Sequence, residues 1–197
     1  MRFTWLSLFI LPLLVSAGTE EQQILNPQVE MVEPYTPATT SKPTLADLLT
    51  IEPAASIFYS YARELELSER FADANTYSTV LAPSNKAVMA LARKPHQGPK
   101  PVDDTVIISE KEFDEQTKRN VQRWVASHII PETPVSFPSS ESYPTLLDDK
   151  SVQFSEINGR GDAPAWSRVQ IEDGIHIIGM KEVSAITLPH LDKCYKY

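Results

Sequence analysis

The stretch that decides the fold is Thr79–Val88, which reads TVLAPSNKAV. Its β-branched and aliphatic start, with the two residues before it, predicts a short strand over 77–81. Pro83 ends that strand because proline has no backbone N–H to give to a neighbouring strand. Ser84 has a side chain that caps helices, so we expect a helix over about 85–92. A strand therefore passes almost directly into a helix.

Two capping boxes predict further helices on either side of this stretch. Thr44 is followed three residues later by Asp47, and Ser109 by Glu112, so each pair can satisfy its own backbone N–H groups. Apolar residues then recur at helical spacing over 57–65. The helix behind the second box carries one apolar face near its end, formed by Val121, Trp124, Val125 and His128.

Beyond Val135 the pattern becomes one of alternating apolar and polar residues. Short runs of this kind occur at 152–154, 169–171 and 175–180. Between the last two, Glu172–Gly174 predicts a hairpin turn, because glycine adopts the positive φ that tight turns require. Helices followed by strands around one core predict an α+β fold.

Three segments, in this order, resemble the conserved boxes of the FAS1 (fasciclin-like) domain family. Residues 79–88 are similar to its first box, Trp124–Ile130 (WVASHII) to its central box, and Asp173–Ile178 (DGIHII) to its second box. The resemblance covers about residues 44–188. It implies structural roles, rather than catalytic ones, for the hallmark residues Pro83, Asn85, His128, Gly174 and His176.

The resemblance implies a wedge-shaped β-sandwich with helices packed at one edge, used for adhesion or for binding partners. Three departures from the family pattern are visible. Leu81 stands where phenylalanine is common, and the loop over 93–106 is longer than is typical. Ser127 replaces the tyrosine of the family's Tyr-His pair, which weakens any inference of receptor binding through the central box.

The amino terminus predicts entry into the secretory pathway. An almost wholly apolar run, Phe3–Val15, follows a positive residue and ends in small residues up to Ala17. A cleaved signal peptide is therefore expected, with an uncleaved anchor as the alternative, and no membrane span is expected after cleavage. The predicted organisation is a signal peptide over 1–17, a flexible proline-rich lead-in over 18–43, a FAS1 domain over 44–188 and a C-terminal tail over 189–197.

Composition argues against two classes of partner. The formal net charge is −8, and no block of Lys or Arg interrupts the acidic chain, so neither nucleic acid nor an anionic membrane surface is expected to bind. The one cysteine, Cys194, leaves no possibility of an internal disulfide. A disulfide between the Cys194 residues of two chains is the expected alternative.

Sequence motifs for catalysis, metal binding or cofactor binding are missing. The chain has no Gly-x-Ser-x-Gly elbow, and its six glycines form no phosphate loop. We therefore expect no catalytic residue, no metal and no cofactor. His128 is expected to be a core residue whose ring bonds a backbone group, and His176 to face away from its isoleucine neighbours. The four histidines have no metal-ligand spacing: His96, His128, His176 and His190.

Arg160, Gly161 and Asp162 form the candidate binding motif, because Arg-Gly-Asp is a tripeptide that integrins recognise. They lie in 158–165, which is expected to be an exposed loop between two strands. The motif offers a cation and a carboxylate on either side of Gly161, a flexible hinge, and this is enough for a contact bridged by a metal ion. The alternative is a turn in which Gly161 and Asp162 serve only the backbone.

Two functions remain open from the sequence. The first is a non-enzymatic adhesion or interaction module that contacts a protein, cell-surface or matrix partner through loops 93–104 and 158–165. The second is a soluble protein of a vacuole-like lumen that binds a small apolar ligand or a client protein. The single domain favours the second, because adhesion gains from several linked sites. Both place the chain in the secretory pathway, outside the cell or in an endomembrane lumen.

Overall fold

Both predicted capping boxes are present. In the computed structural model, which describes residues 42–100, 108–183 and 186–194, Thr44 Oγ1 accepts from the Asp47 N–H at 3.2 Å. The Asp47 carboxylate in turn accepts from the Thr44 N–H at 2.8 Å. Ser109 and Glu112 make the same exchange. The helices are α1 (Leu45–Thr50), α2 (Ser56–Ala62), α3 (Ser68–Ala72), α4 (Asn85–Met89) and α5 (Glu110–Ala126), with 3₁₀ turns at Pro53–Ala55, Pro95–Gln97, Ala165–Arg168 and Glu172–Gly174.

The strands are β1 (Ser78–Val80), β2 (Ala82–Pro83), β3 (Ile129–Ile130), β4 (Ser142–Pro144), β5 (Ser151–Gln153), β6 (Ser155–Glu156), β7 (Val169–Ile171), β8 (Ile175–Val183) and β9 (Ile186–Leu191). Within the described residues, seven of them form one sheet in the order β3-β1-β9-β8-β7-β6, and β2 also pairs with β9. The strands β4 and β5 form a separate hairpin. The strand β9 runs parallel to β1 and β2 but antiparallel to β8, so it lies at the centre of the large sheet.

The large sheet is covered on both faces, because alternate side chains point to opposite sides of each strand. Val80 and Ile129 pack against the helices, in what we call the helix-side core, together with Phe58 and Trp124. Leu81 and Ile130, which follow them in the chain, point to the other face. The core on that face is called the strand-side core, and its members are Leu81, Ile130, Val135, Tyr143, Val152, Phe154, Val169, Ile171, Ile175, Ile177 and Leu191. The predicted α+β fold is confirmed.

The extent of β9 shows that the predicted boundary between the domain and its C-terminal tail, at residue 188, is wrong. A tail was expected over 189–197, but every residue of Ile186–Leu191 is buried in this central strand. Pro189 and His190 hide the strand in the sequence, because proline and polar residues usually mark loops. Pro189 lies between the residues that pair with β1 and those that pair with β2. The ladder on that side is interrupted there, which accommodates a residue without a backbone N–H.

Two further elements differ from their predicted bounds. The strand expected over 77–81 is β1 alone, and the Leu81 N–H after it donates to the His128 carbonyl oxygen at 2.8 Å. Pro83, which was expected to end this strand, instead lies in the separate strand β2 beside β9, where it needs no N–H on the paired side. The helix expected over about 85–92 ends at Met89, whose carbonyl oxygen accepts from Lys94 Nζ at 2.9 Å. A lysine at this position satisfies carbonyl groups that the helix end leaves open.

The hairpin predicted at Glu172–Gly174 is present. Ile171 and Ile175 face each other across β7 and β8, and Gly174 has a φ of +69°. In the part of the chain that the structure describes, no helix is long and apolar enough to cross a membrane. The predicted signal peptide over 1–17, and the predicted lead-in over 18–43 except its last two residues, lie outside the described residues.

Replacing Leu188 in β9 by alanine tests the central position of this strand. Leu188 is fully buried, so Leu188→Ala is expected to lower the free energy of unfolding by about 3 kcal/mol through lost burial and a cavity. Urea unfolding followed by circular dichroism measures the change. Ile178→Ala in the neighbouring strand is the matched control: its side chain is 57% exposed, so the loss should be about 0.5 kcal/mol or less. Equal losses for the two variants would contradict the assignment of β9.

Candidate functional site

The Arg160–Asp162 tripeptide lies in an exposed loop that connects β6 to β7. Arg160 Nη1 donates to the Ser167 carbonyl oxygen at 2.8 Å, and the Ile157 N–H donates to the Arg168 carbonyl oxygen at 2.6 Å. These two bonds close the loop at its base and along one side. The Asp162 carboxylate has neither a hydrogen bond nor an ion pair within the described residues. The loop therefore holds its arginine in place and leaves its aspartate available.

Gly161 and Asp162 are exposed and form the centre of a turn, because the Ala163 N–H donates to the Arg160 carbonyl oxygen at 3.1 Å. The positive φ of this loop belongs to Gly159, at +89°, whereas Gly161 has none. The Gly161 carbonyl oxygen accepts a long bond of 3.5 Å from Arg168 Nη1. A Cβ added at Gly161 would meet nothing within 4 Å, so the backbone does not require glycine there. The turn that the sequence left open as the alternative is therefore present at Gly161 and Asp162, and Gly159 supplies the positive φ just before it.

His176 and Gly174, from the second box, attach the segment after β9 to the sheet. The His176 N–H donates to Asp192 Oδ1 at 2.7 Å, and His176 Nδ1 lies 3.3 Å from Asp192 Oδ2. The Gly174 carbonyl oxygen accepts from Lys193 Nζ at 3.0 Å. Both histidine and glycine are thus used to hold structure, and two residues of the predicted tail are fixed by them.

Asn85, from the first box, joins two helices. Its Oδ1 accepts from the Ile57 N–H at 2.9 Å, and its Nδ2 donates to the Pro53 carbonyl oxygen at 2.8 Å and to Ser56 Oγ at 3.0 Å. The helix α2 receives no capping bond from its own N-cap side chain, so Asn85 supplies that cap from 28 residues further along the chain. Pro83, two residues earlier, lies in β2 beside β9.

His128, from the central box, is fully buried on the helix side of the fold. Its Nδ1 lies 2.7 Å from the Trp124 carbonyl oxygen, and a carbonyl only accepts, so Nδ1 carries the proton. The ring centroids of His128 and Trp124 are 5.1 Å apart. Burial lowers the pKa of His128 to about 4, although the bond to Trp124 opposes the shift and the charge of Lys150 adds to it. The imidazole is neutral at neutral pH.

Cys194 is half-buried against the helix-side core rather than free at the end of the chain. Burial raises the pKa of its thiol to about 12, and the charge of Lys94 opposes that rise only partly. The thiolate is the form that attacks a disulfide, so this environment disfavours the exchange. The disulfide between two chains stays a prediction, and the folded environment of Cys194 works against it.

The sequence did not reveal a buried charged cluster between α1 and the strands β8 and β9. Glu52 is only 6% exposed, yet it forms an ion pair with Lys181 and lies 3.6 Å from His190 Nε2. Burial alone would raise the pKa of Glu52, but hydrogen bonds from Lys181 and the Ala54 N–H, with the His190 interaction, lower it overall. Burial lowers the pKa of His190, so Lys181 is the cation that pairs with Glu52 at neutral pH.

Lys181 satisfies the buried Glu52 carboxylate, so this pair stabilises the folded chain. Both ring nitrogens of His190 are buried, with no hydrogen-bond partner among the described residues. Across residues 42–100, 108–183 and 186–194, no three His, Cys, Asp or Glu side chains converge as a metal site would need. No local signal could have found the cluster, because its members come from three separate elements.

A cleft of about 430 Å³ between the end of α2 and the middle of α5 was also missed. We call it the Tyr61–His96 cleft, since Tyr61 Oη lies 3.3 Å from His96 Nδ1 and the two rings stack with centroids 6.4 Å apart. It is lined by Tyr61, Glu64, Leu65, Glu66, His96, Thr117, Lys118, Val121 and Gln122. His96 belongs to loop 93–104, which the sequence selected as a contact candidate, and residues 101–107 lie outside the described ranges.

The buried state of His128 predicts how stability depends on pH. The unfolded chain binds a proton on this histidine near its ordinary pKa of 6.5, whereas the folded chain binds it only near 4. The contribution of neutral His128 to the free energy of unfolding is therefore complete above pH 6.5 and is lost as the pH falls from 6.5 to 4. From about pH 7.5 to about pH 5, this group should lower the free energy of unfolding by about 2 kcal/mol.

Urea unfolding of the wild type and of His128→Gln at the two pH values measures this loss. The variant should be less stable at the higher pH, but its stability difference between the two pH values should be smaller by about 2 kcal/mol. Ser127→Ala is the matched control: it removes the hydroxyl 3.1 Å from His128 Nδ1 and retains the titrating group. The control should therefore keep the wild-type pH difference. An unchanged pH difference in His128→Gln would contradict the interpretation.

Comparison with known proteins supports the FAS1 resemblance. No family model matches the chain. Over 115 residues the chain is 36% identical to a FAS1 domain-containing protein of Aspergillus fumigatus, covering 56% of this chain and 48% of that protein. It is 33% identical over 107 residues to a FAS1 domain-containing protein of Eremothecium gossypii, covering 53% of this chain and 43% of the relative. The chain thus spans about half the length of these curated relatives, or slightly less.

A solved structure of a FAS1 domain pair from the insect cell adhesion molecule fasciclin I is also similar. It has a TM-score of 0.48 and 14% sequence identity, and the match covers 73% of this chain and 45% of that chain. A further relative, at 33% identity over 90 residues, is a FAS1 domain-containing protein of Saccharomyces cerevisiae, with 44% of this chain and 33% of the relative covered. The curated relatives, all named FAS1 domain-containing proteins, support the resemblance of this chain to the FAS1 domain family.

Proposed function

We propose that this chain is a non-enzymatic interaction module of the secretory pathway that binds a protein partner at the cell surface or in the matrix. The contact is made by loop 158–165. The observation that carries the proposal is the exposed carboxylate of Asp162, which has no partner among the described residues, in a loop whose arginine is already fixed by a bond to Ser167.

Restraint of the loop favours binding, because a partner then orders fewer groups on contact. The bond from the Ile157 N–H to the Arg168 carbonyl oxygen closes the base of the loop. Trp166, just behind it, packs against the strand-side core. Asp162 on such a support can complete the coordination of a divalent cation held by the partner, since Mg²⁺ and Ca²⁺ bind carboxylate oxygens.

The open surroundings of Gly161 also support the contact. A Cβ at this position would meet nothing within 4 Å, so the side of Gly161 where a side chain would stand is open. A partner can therefore approach Gly161 from that side, while the Arg168 guanidinium lies 3.5 Å from its carbonyl oxygen.

The non-enzymatic part of the proposal is supported by how the polar side chains are used. His128 is neutral, buried and bonded to the Trp124 carbonyl oxygen. His176 is engaged with Asp192, and the Glu52 carboxylate with Lys181. Each of these groups has a structural role, and within the described residues none faces a cavity together with a nucleophile.

A second candidate function is the binding of a small ligand in an endomembrane lumen. The Tyr61–His96 cleft favours it, because its volume of about 430 Å³ suits a small molecule rather than a protein surface. The cleft and loop 158–165 are formed by different elements. The two functions can therefore be tested by separate variants.

An attachment assay tests the contact through the loop. Cells that display integrins are added to a surface coated with the protein, with Mg²⁺ present or chelated by EDTA. Asp162→Asn is expected to reduce attachment about tenfold, because the neutral amide is a poorer ligand for the bridging cation. EDTA should reduce attachment of the wild type to the same level.

Asp148→Asn is the control, since Asp148 is also an exposed loop carboxylate with no ion pair within the described residues. It should leave attachment unchanged. If cells do not attach to the wild type, or attach equally well to Asp162→Asn, the proposed contact is wrong.

A further inference from the structure

We propose that the Tyr61–His96 cleft binds a small organic cation with an aromatic or aliphatic body. This inference rests on the second candidate function and names its class of ligand. It uses none of the residues of loop 158–165.

The floor of the cleft is apolar and packed in place. Val121 is 8% exposed, and Leu65 packs beside it against the helix-side core. The Tyr61 ring meets the buried Trp124 edge to face, with centroids 5.7 Å apart at 78°. A flat or aliphatic body of a ligand can replace water on this floor at little cost in ordering, since the lining is already held by the core.

The wall that carries His96 is also fixed. Asn120 Nδ2, on α5, donates to the His96 carbonyl oxygen at 3.2 Å. The chain then turns at Gly98, which has a φ of +60° and lies so close to α5 that a Cβ on it would be 2.5 Å from Asn120 Nδ2. Glycine is therefore required at this turn. The His96 ring is held against Tyr61, so the cleft exists before any ligand arrives.

Charge on the rim selects a cation. Glu64 and Glu66 lie on the α2 side and Lys118 on the α5 side, and none of the three forms an ion pair within the described residues. The carboxylates outnumber the ammonium by two to one, and the whole chain has a net charge of −8, which attracts cations over a longer range. Lys118 opposes this selection in part.

The aromatic ring of Tyr61 adds to the preference of the cleft for a cation. Burial raises the pKa of Tyr61, and the negative charge of Glu64 raises it further, so the hydroxyl remains protonated and the ring neutral. The face of a neutral phenol ring attracts an ammonium group. The apolar floor and the two carboxylates thus complement opposite ends of one amphipathic cation.

Three probes with the same phenyl body separate the contributions: phenethylamine, which is an ammonium at neutral pH, neutral 2-phenylethanol, and anionic 3-phenylpropanoate. Each is titrated into the ¹⁵N-labelled full chain, and backbone shifts are followed by NMR. We expect saturable shifts at Leu65, His96 and Val121. The dissociation constant of the ammonium should be about fivefold smaller than that of the alcohol. The carboxylate should have the largest dissociation constant of the three.

Charge variants test the rim. Glu64→Gln combined with Glu66→Gln should weaken phenethylamine binding about fivefold without changing 2-phenylethanol binding, and Lys118→Gln should strengthen it about twofold. Glu141→Gln, an exposed carboxylate far along the chain in the segment before β4, is the control and should change nothing.

The outcomes separate the inference from the function on which it rests. If the alcohol binds the cleft as tightly as the ammonium, the preference for a cation is wrong and a small-ligand site remains. If no probe gives saturable shifts, or if the shifts map to other residues, the site itself is wrong.

Discussion

The fold depends on the burial of one strand, β9 (Ile186–Leu191), in the middle of the large sheet. It is the strand through which the early and late parts of the chain meet, since it pairs with β1 and β2 on one side and β8 on the other. Its last residue, Leu191, accepts a hydrogen bond from the Ser84 N–H at 3.0 Å, which fixes the start of α4. His190 meets Glu52 at the end of α1, and Asp192, just beyond the strand, holds His176. A chain without internal disulfides can be stabilised in this way because one buried element is shared by both cores.

The two candidate binding surfaces follow from the division of the chain around this sheet. The Tyr61–His96 cleft is built from helices, and its floor is continuous with the helix-side core through Val121 and Trp124. Loop 158–165 connects two late strands, and Trp166 anchors it to the strand-side core. The hallmark residues of the family hold elements together: Asn85 caps α2 from a distance, and His128 fills the space beside Trp124. The polar residues of the three boxes are thus structural, while the candidate contacts are made by residues outside them.

Local patterns predicted most of the helices and the hairpin, because capping boxes, helical spacing and Asp-Gly turns act over a few residues. The boxes at Thr44 and Ser109 and the turn at Gly174 are examples. The strand β9 could not be predicted in this way, since Pro189 is tolerated only through an interruption in its partner strands that the sequence does not display. The end of α4 depends on Lys94, which folds back onto the Met89 carbonyl.

For the sites as well, features set by neighbouring residues could be predicted, whereas features set by long-range packing could not. The cleft and the Glu52–Lys181 pair were invisible in the sequence, because their residues meet only after long-range packing. The exposed loop at Arg160 was predictable, but the bond that fixes its arginine was not. Nor could the sequence show which glycine has a positive φ, since Gly159 and Gly161 are two residues apart and only the first has one.

The central claim is that this chain works as an interaction module of the secretory pathway, and its location tests that most directly. An epitope tag inserted within 20–42, downstream of the expected cleavage site, leaves both candidate surfaces intact. Cells that express the tagged chain are separated into medium, surface, organelle lumen and cytosol, and the amino terminus of the recovered protein is sequenced. The account predicts recovery from the medium or the surface, with an amino terminus at Gly18. Recovery from an organelle lumen alone would reject the contact at the cell surface in favour of a lumenal ligand. Recovery from the cytosol with Phe3–Val15 intact would contradict the account as a whole.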